Sequence, residues 1–304
     1  MNNAFDQTKI TVDQWHALIS VVEAGGYAQA AMALHRAQST VTYAVQKLES
    51  LLGVKVFEIE GRKAVLTATG KVLYQRAKSL VADAQKLERA AKDLAAGWEP
   101  ELKIAAEILF PTWLLLECFG RLASERPNVR IELFESVMGG TEELLKEGKV
   151  HLAITPFAPA GFFGEPLMPI RMEAVAAPRH PLHQLGRPIK QHDLRQYRHL
   201  VTRDSSRDRV MGAGFVNDDR WTFSNKATSI RAAVMGLGYA WYTEETIREE
   251  LLAGTLKPLP LVEGSERVAT LNLIFADGDG AGPGTRRLAQ IIKEAVATLC
   301  KRSA

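Results

Sequence analysis

The sequence is poor in cysteine, carries little net charge and contains no long apolar run. Its two cysteines, Cys118 and Cys300, have no CxxC partner and no histidine cluster nearby. No cysteine-based metal site follows from them, and both thiols read as packed side chains in helices, with a redox-sensing pair as the alternative. No stretch reaches the roughly 18 consecutive apolar residues of a membrane span, so no membrane partner is expected. The start, Met1-Asn2-Asn3-Ala4-Phe5-Asp6, lacks the basic and apolar segments of a secretory signal, which points to the cytoplasm. Catalytic signatures are missing as well: there is no Gly-rich phosphate loop, no GxSxG and no HExxH. His180 and His183 stand close together, but in a Pro-containing loop without an acidic partner. No enzymatic activity, metal or cofactor is expected.

What is present centres on Ala28 to Leu66. In the segment from Ala37 to Glu49, the apolar residues Val41, Val45 and Leu48 recur at i, i+4 and i+7 and can bury together on one face of a helix. Ser39, Thr40, Thr42, Tyr43, Gln46 and Lys47 lie between them and can exchange hydrogen bonds. A small-residue helix precedes it from Tyr27 to Leu34, with Ala30, Ala31 and Leu34 as an apolar patch, and only His35, Arg36 and Ala37 intervene. Two short helices so joined predict a helix-turn-helix, whose second helix reads the major groove. Gln38, at the start of that helix, can bond adenine through two hydrogen bonds. Val54 to Glu58 and Ala64 to Thr67 read as strands around a turn at Glu60-Gly61-Arg62-Lys63, a basic wing. Ahead of these, Thr11 can cap a helix reaching Glu23, with Trp15, Leu18, Ile19 and Val22 facing inward.

Thr67 reads as the cap of a long helix reaching about Ala96. Leu73, Leu80, Leu87 and Leu94 fall every seventh residue within it, and Ala77, Ala84 and Ala91 complete a heptad seam. At about 45 Å this helix outreaches the small domain before it. A dimer built by helix pairing follows; the alternative is a helix packed on its own protein. Charge supports an oligomer. Residues 1–66 carry six Lys/Arg against six Asp/Glu, residues 67–97 six against three, and the remainder twenty-six of each. The reading domain has few cations to neutralise phosphates, so one copy alone should bind DNA weakly.

From Leu102 the pattern becomes α/β. Strands at Leu102–Ala106, Val129–Glu135 and Val150–Thr155 alternate with helices at Pro111–Ser124 and Thr141–Glu147, which predicts a parallel sheet with helices on both faces. The Pro-, Gly- and Phe-rich stretch from Ala158 to Pro169 reads as a crossover into a second lobe. That lobe has strands near Glu173–Ala177, Leu200–Arg203, Trp221–Ser224 and Gly238–Tyr242, and helices near Thr228–Met235 and Thr243–Ala253. A strand at Val268–Ala276 returns to the first lobe and a helix at Gly284–Lys301 closes it. Ligands of such folds sit between the lobes, at the carboxyl ends of strands.

Ala30-Ala31, Gln38-Ser39, Val41-Thr42, Leu48-Glu49, Leu52-Gly53-Val54, Phe57-Glu58, Leu66-Thr67 and Gly70 together resemble the N-terminal domain of LysR-type transcriptional regulators. More weakly, His180-Pro181-Leu182 and Gly236-Leu237-Gly238 resemble landmarks of the same family. The resemblance implies a winged helix-turn-helix over 1–67, a dimerising linker helix over 68–97 and a two-lobed α/β effector domain over 98–304 similar to periplasmic solute-binding proteins. Lobe I would cover about 98–164 and 270–304, and lobe II about 165–269. It implies double-stranded promoter DNA, a small-molecule effector, further copies of the chain (antiparallel dimers, and tetramers built from them) and RNA polymerase as partners.

Carried over by position, the DNA contacts are Gln38, Ser39, Thr40, Thr42, Tyr43, Gln46 and Lys47 on the reading helix, with Arg62 and Lys63 in the wing. The chain departs from the family at Tyr43, where arginine is common, and at Ile59-Glu60, where an arginine commonly follows the Phe-Glu pair. The effector positions become Glu107, Ile108, Met138, Thr141, Thr202, Arg203 and Asn225. Many relatives hold carboxylates with hydroxyls at the first two sites, whereas Glu107 and Met138 stand here. The expected effector is therefore amine- or amino-acid-like, its cation on Glu107 and any acid group on Arg203; a Glu107–Arg203 ion pair is the plainer alternative. The rival reading of the whole chain is a cytoplasmic α/β small-molecule-binding module or enzyme with an N-terminal helical oligomerisation domain.

Overall fold

A computed structural model describes residues 8–60, 63–207, 219–262 and 266–303. The chain divides into two compact units, Met1–Ala95 and Ala96–Ala304.

The first unit contains α1 (Val12–Glu23), α2 (Tyr27–Ala33), α3 (Gln38–Leu52), β1 (Phe57–Glu60), β2 (Lys63–Leu66) and α4 (Ala68–Ala95). Thr11 accepts from the Gln14 amide while the Gln14 side chain accepts from the Thr11 amide, the reciprocal cap that starts α1. Leu18, Val21, Ala30, Ala31, Val41, Val45, Leu48 and Val56 form one core. The i, i+4, i+7 spacing of α3 is thus spent on burial, and its polar residues are left outside. The Thr67 hydroxyl accepts from the Gly70 amide at 2.9 Å and caps α4. Gly70 is required there, because a Cβ would overlap the carbonyl oxygen of Val56.

The wing begins three residues later than expected, at Phe57. Glu49, buried on α3, explains the delay: its carboxylate accepts from the Val56 amide at 2.9 Å, the Phe57 amide at 3.3 Å and Lys55 Nζ at 2.7 Å. A side chain takes the donors that a strand partner would otherwise use. These donors hold the Glu49 carboxyl below its usual range against the opposing effect of burial.

The heptad seam of α4 divides in two. Ala77 is buried with Val81 under Ile19 of α1, and Leu73 packs against the core of the unit. Beyond that point Leu80, Leu87 and Leu94 are 47%, 73% and 56% exposed. Leu73 and Ala77 therefore serve their own chain, and the stripe open to a partner starts at Leu80.

The second unit continues with β3 (Glu101–Glu107), α5 (Thr112–Glu125), β4 (Arg130–Ser136), α6 (Gly139–Lys146), β5 (Leu152–Thr155), β6 (Gly164–Ala176), α7 (Gln191–Leu194), β7 (His199–Thr202), β8 (Arg220–Phe223), α8 (Lys226–Val234), β9 (Ala240–Thr243), α9 (Arg248–Leu252), β10 (Lys257–Pro258), β11 (Glu266–Phe275) and α10 (Pro283–Ser303). β4, β3 and β5 run parallel, as expected from the alternation of strands and helices. Leu102, Ile104 and Ala106 of β3 face the core under α5 and α10, while Ala105 faces the core under α6. That is the period of two in a strand covered on both sides.

Two expectations are corrected. The stretch before Pro169 is already strand from Gly164, because β6 pairs antiparallel with β11 from Gly164↔Ile274 to Glu173↔Glu266. The link between lobes is thus a continuous β-ribbon. The helix expected over Thr243–Ala253 starts only at Arg248; a 3-10 turn over Glu244–Thr246 precedes it. The Thr243 hydroxyl there bonds the Leu109 carbonyl and the Thr246 hydroxyl, which competes with a helical start.

Replacing Glu49 with alanine strands two backbone donors, a loss of roughly 1–3 kcal/mol for a buried one. In hydrogen-exchange mass spectrometry, peptides covering 54–60 should exchange tenfold or more faster while α1 stays protected. Unchanged exchange there would show that another contact holds the wing.

Candidate functional site

Two surfaces qualify, one in each unit. On α3, Gln38, Ser39, Thr40, Tyr43, Gln46 and Lys47 are exposed and Thr42 is half-buried. At about 100° per residue they cover the half of the helix that Val41, Val45 and Leu48 leave outside the core. Tyr43, 66% exposed, is its largest member. Ala37 occupies the helix N-cap without a side-chain hydrogen bond. Arg36 at 2.8 Å from Asp13 ties the turn back to α1. In the wing, Ile59 is exposed where a cation was missing from the sequence. Arg62 lies outside the described residues, and Lys63 is described only in its backbone, paired with Glu60.

The second unit holds a cavity of about 760 Å³ between its lobes. Glu107 and Ile108 from the end of β3, Val137 to Gly139 from the start of α6, and Pro156 to Ala160 after β5 form one side. Met172, His199 to Thr202, Asp204, Trp241, Tyr242, Arg267 and Ala269 form the other. Of the expected effector residues, Glu107, Ile108, Met138 and Thr202 line it together. Three do not. Thr141 is buried beneath the wall, its hydroxyl 2.7 Å from that of Ser136. Asn225 is the N-cap of α8 and accepts from the Thr228 amide at 3.1 Å. Arg203 is exposed, its amide bonded to the Phe223 carbonyl. Arg203 lies just past the end of β7, and its neighbours Thr202 and Asp204 line the cavity instead. The Glu107–Arg203 pairing drawn from sequence is thus not formed.

Glu107 is 3% exposed and its Oε2 accepts from the Met138 amide at 2.8 Å. Met138 adopts φ 52°, a conformation that non-glycine residues occupy at a cost, and in it the amide faces Glu107. Burial, reinforced by Asp204, pushes the Glu107 carboxyl up to about 8 against its backbone hydrogen bonds and Lys226. Lys226, at the start of α8, donates from Nζ to the Ile108 carbonyl at 3.1 Å and to the Thr112 hydroxyl at 3.0 Å, so it latches lobe II to lobe I. Burial lowers its pKa. His199, stacked on Tyr239 at 4.9 Å, is pushed down to about 4 by burial and by Arg267 and Arg220, and is neutral at physiological pH. Arg267 lies over the Trp241 ring at 4.2 Å.

The lobes meet beside this cavity. The Val137 amide donates to the Ser205 hydroxyl at 2.9 Å, and a Cβ on Gly140 would overlap that hydroxyl. Sequence reasoning missed Asp204, His199, Trp241, Lys226 and Arg267. Asp204 was within reach, two residues beyond Thr202 on the same face. Cys118 is packed in the lobe I core, and burial pushes its thiol up to about 11.

The raised Glu107 pKa makes stability depend on pH. The folded chain keeps this proton up to about 8, whereas the unfolded chain releases it near the ordinary carboxylate value of 4.5. The stabilisation it contributes is therefore complete below 4.5 and lost as pH rises to about 8. Glu107→Gln, which cannot titrate, should gain Tm relative to the parent on going from pH 5 to pH 8, by several degrees in paired thermal scans. A difference that does not vary with pH would place the proton elsewhere.

Comparison with known proteins fits both surfaces. Residues 12–71 match the family described as bacterial regulatory helix-turn-helix protein, lysR family, and residues 95–297 match the LysR substrate binding domain. The chain is 28% identical over 273 residues to the probable HTH-type transcriptional regulator YhaJ of Escherichia coli K12, spanning 88% of this chain and 90% of that one. It is 30% identical over 192 residues to the regulator PunR of the same organism, 62% of each chain. Among solved structures, CrgA of Neisseria meningitidis, a LysR-type transcriptional regulator, aligns at a TM-score of 0.53 and 20% identity, over 94% of this chain and 99% of that one. Full-length LysG of Corynebacterium glutamicum aligns at 0.51 and 20%, over 95% and 98%. These matches are to transcriptional regulators, which sets the enzyme alternative aside. The helix-turn-helix unit and the two-lobed cleft belong to one kind of molecule, and the chain is a member of the LysR family of transcriptional regulators.

Proposed function

We propose that this regulator works as an oligomer that reads promoter DNA with α3 and responds to a small amine- or amino-acid-like metabolite in its cleft. The observation that carries the reading is the division of α3, with Val41, Val45 and Leu48 buried and Gln38 to Lys47 presenting their polar side chains to solvent. Gln38 reads a base edge, the hydroxyls of Ser39, Thr40 and Thr42 reach bases or phosphates, and Lys47, with Arg62 and Lys63 of the wing, neutralises phosphate. Tyr43 and Gln46 complete the face. So few cations make one copy a weak binder, and two copies on adjacent half-sites gain by linkage what each lacks. The stripe of Leu80, Leu87 and Leu94 supplies the pairing surface, and dimers of dimers form through the effector domains.

Ligand acts by differential affinity for two lobe arrangements, and can shift them by no more than that difference. Glu107 supports a donor-bearing effector. Arg203, exposed, gives no support for an acid group at its position; Arg267, which lines the cavity, is the cation available to one. The site of action is the cytoplasm, with RNA polymerase as the partner that receives the signal.

Fluorescence anisotropy on the DNA upstream of its own gene tests the DNA half. Affinity should fall steeply with salt. Gln38→Ala should cost roughly 1–3 kcal/mol on specific DNA and little on random DNA; equal losses on both would remove its reading role. The double variant Leu80→Glu with Leu87→Glu should halve the mass in light scattering while circular dichroism stays native, because both side chains are exposed in the single chain. A native mass would rule out the stripe as the interface.

A further inference from the structure

Asp204 is the least satisfied charged group in the cleft. It is 9% exposed and lines the cavity with Glu107. Its Oδ1 accepts from the Ser206 amide at 2.8 Å, but its Oδ2 is buried with no hydrogen-bond partner among the described residues. A carboxylate oxygen taken from water and given no donor is expensive, and Asp204 belongs to the cavity wall. Glu107 does not compete for that donor in the same way, since its Oε2 already holds the Met138 amide.

The two carboxyls also limit what charge the wall shows. Both are buried in one cavity, and two like charges so placed cannot both be ionised cheaply. Burial keeps the proton on Glu107 at neutral pH, so Glu107 presents no anion to the cavity. The other charged groups about the cavity already have partners: Glu142 is paired with Lys146, Lys226 is committed to Ile108 and Thr112, and Arg267 lies over Trp241. A metal ion does not suit the place. No group of three or more His, Cys, Asp or Glu side chains that could hold one occurs among the described residues. Hard divalent cations also require more oxygen ligands than two carboxyls provide. The rest of the wall is mainly apolar, with Leu109, Met138, Phe157, Met172 and Trp241 prominent.

We propose that Asp204 is the anchor of the effector's cationic head, and that the effector is a monoammonium compound with an apolar body. The ammonium donates to Asp204 Oδ2, Glu107 stands beside it as a neutral hydrogen-bonding group, and the body lies against Met172 and Trp241. The inference rests on the cleft being the effector site.

Calorimetry on the full-length protein with three matched probes tests it: 2-phenylethylammonium, 2-phenylethanol and 3-phenylpropionate. The ammonium probe should bind at least tenfold tighter than the other two, about 1.4 kcal/mol. Asp204→Asn should erase that preference while leaving the alcohol's affinity unchanged, which also shows that the cleft still folds. Asp204→Glu, which keeps the charge, should restore part of it. The proposal is overturned if the alcohol or acid binds as tightly as the amine, if no probe binds at 10 mM, or if Asp204→Asn keeps the preference. Salt-dependent DNA binding, measured without any probe, decides the regulator reading separately. Its loss with amine binding intact would sink that reading alone, and its presence without amine binding would sink this one alone.

Discussion

The effector domain depends on the pairing of β6 with β11. At one end of this antiparallel ribbon β11 pairs with β5 and so joins the parallel strands of lobe I; at the other β6 pairs with β9 and β10 of lobe II. Both lobes are thus edges of one hydrogen-bonded ladder. The register shifts between Leu271 and Asn272, and the Asn272 amide group donates to the carbonyls of Pro156 and Thr270 at that point. A bulge increases local twist and frees backbone groups, and here a side chain takes up some of them. Met172, Arg267 and Ala269 of the cavity wall are ribbon residues. Any change in lobe angle therefore deforms the ligand site itself, and any ligand touching the ribbon is coupled to that angle.

Much of this was legible in the residues, for physical reasons that differ by region. The helix-turn-helix could be read because Val41, Val45 and Leu48 recur at helical spacing while Gln38, Ser39, Thr40, Tyr43, Gln46 and Lys47 stay exposed; the buried Glu49 is the polar exception. The capping of α1 by Thr11 and of α4 by Thr67 was legible because a hydroxyl before an apolar period has few other uses. The first part of the crossing strand β6, before Glu173, was not. Pro166 and Pro169 and the glycine that starts it signal a loop in any local reading, and only pairing with β11, about a hundred residues away, makes them strand. In the cleft, residues on regular strand ends could be placed, whereas those after an irregular turn could not. Arg203 illustrates this: it stands one residue past the end of β7, where its neighbours line the cavity and its own side chain is exposed. Asp204 was hidden because a buried acid is an unfavourable guess without the cavity in view.

The effector cleft thus pairs two kinds of unfavourable feature. Met138 is held in a costly backbone conformation and Glu107 in a costly desolvated one, and each is the other's hydrogen-bond partner. Placing both where the lobes meet is a familiar property of ligand sites, which trade local stability for preorganisation.

The divided seam of α4 bears on how the molecule is made. Ala77 and Val81 pack with Ile19, so these contacts are closed within the first unit. Such a unit can fold on the ribosome while the effector domain is still being synthesised. The leucines from Leu80 onward then emerge already helical and still wet. If a second chain covers them, its nearest source is the next ribosome on the same message. Subunits of one assembly would then share a transcript, and a cell carrying two alleles would form fewer mixed oligomers than free diffusion predicts.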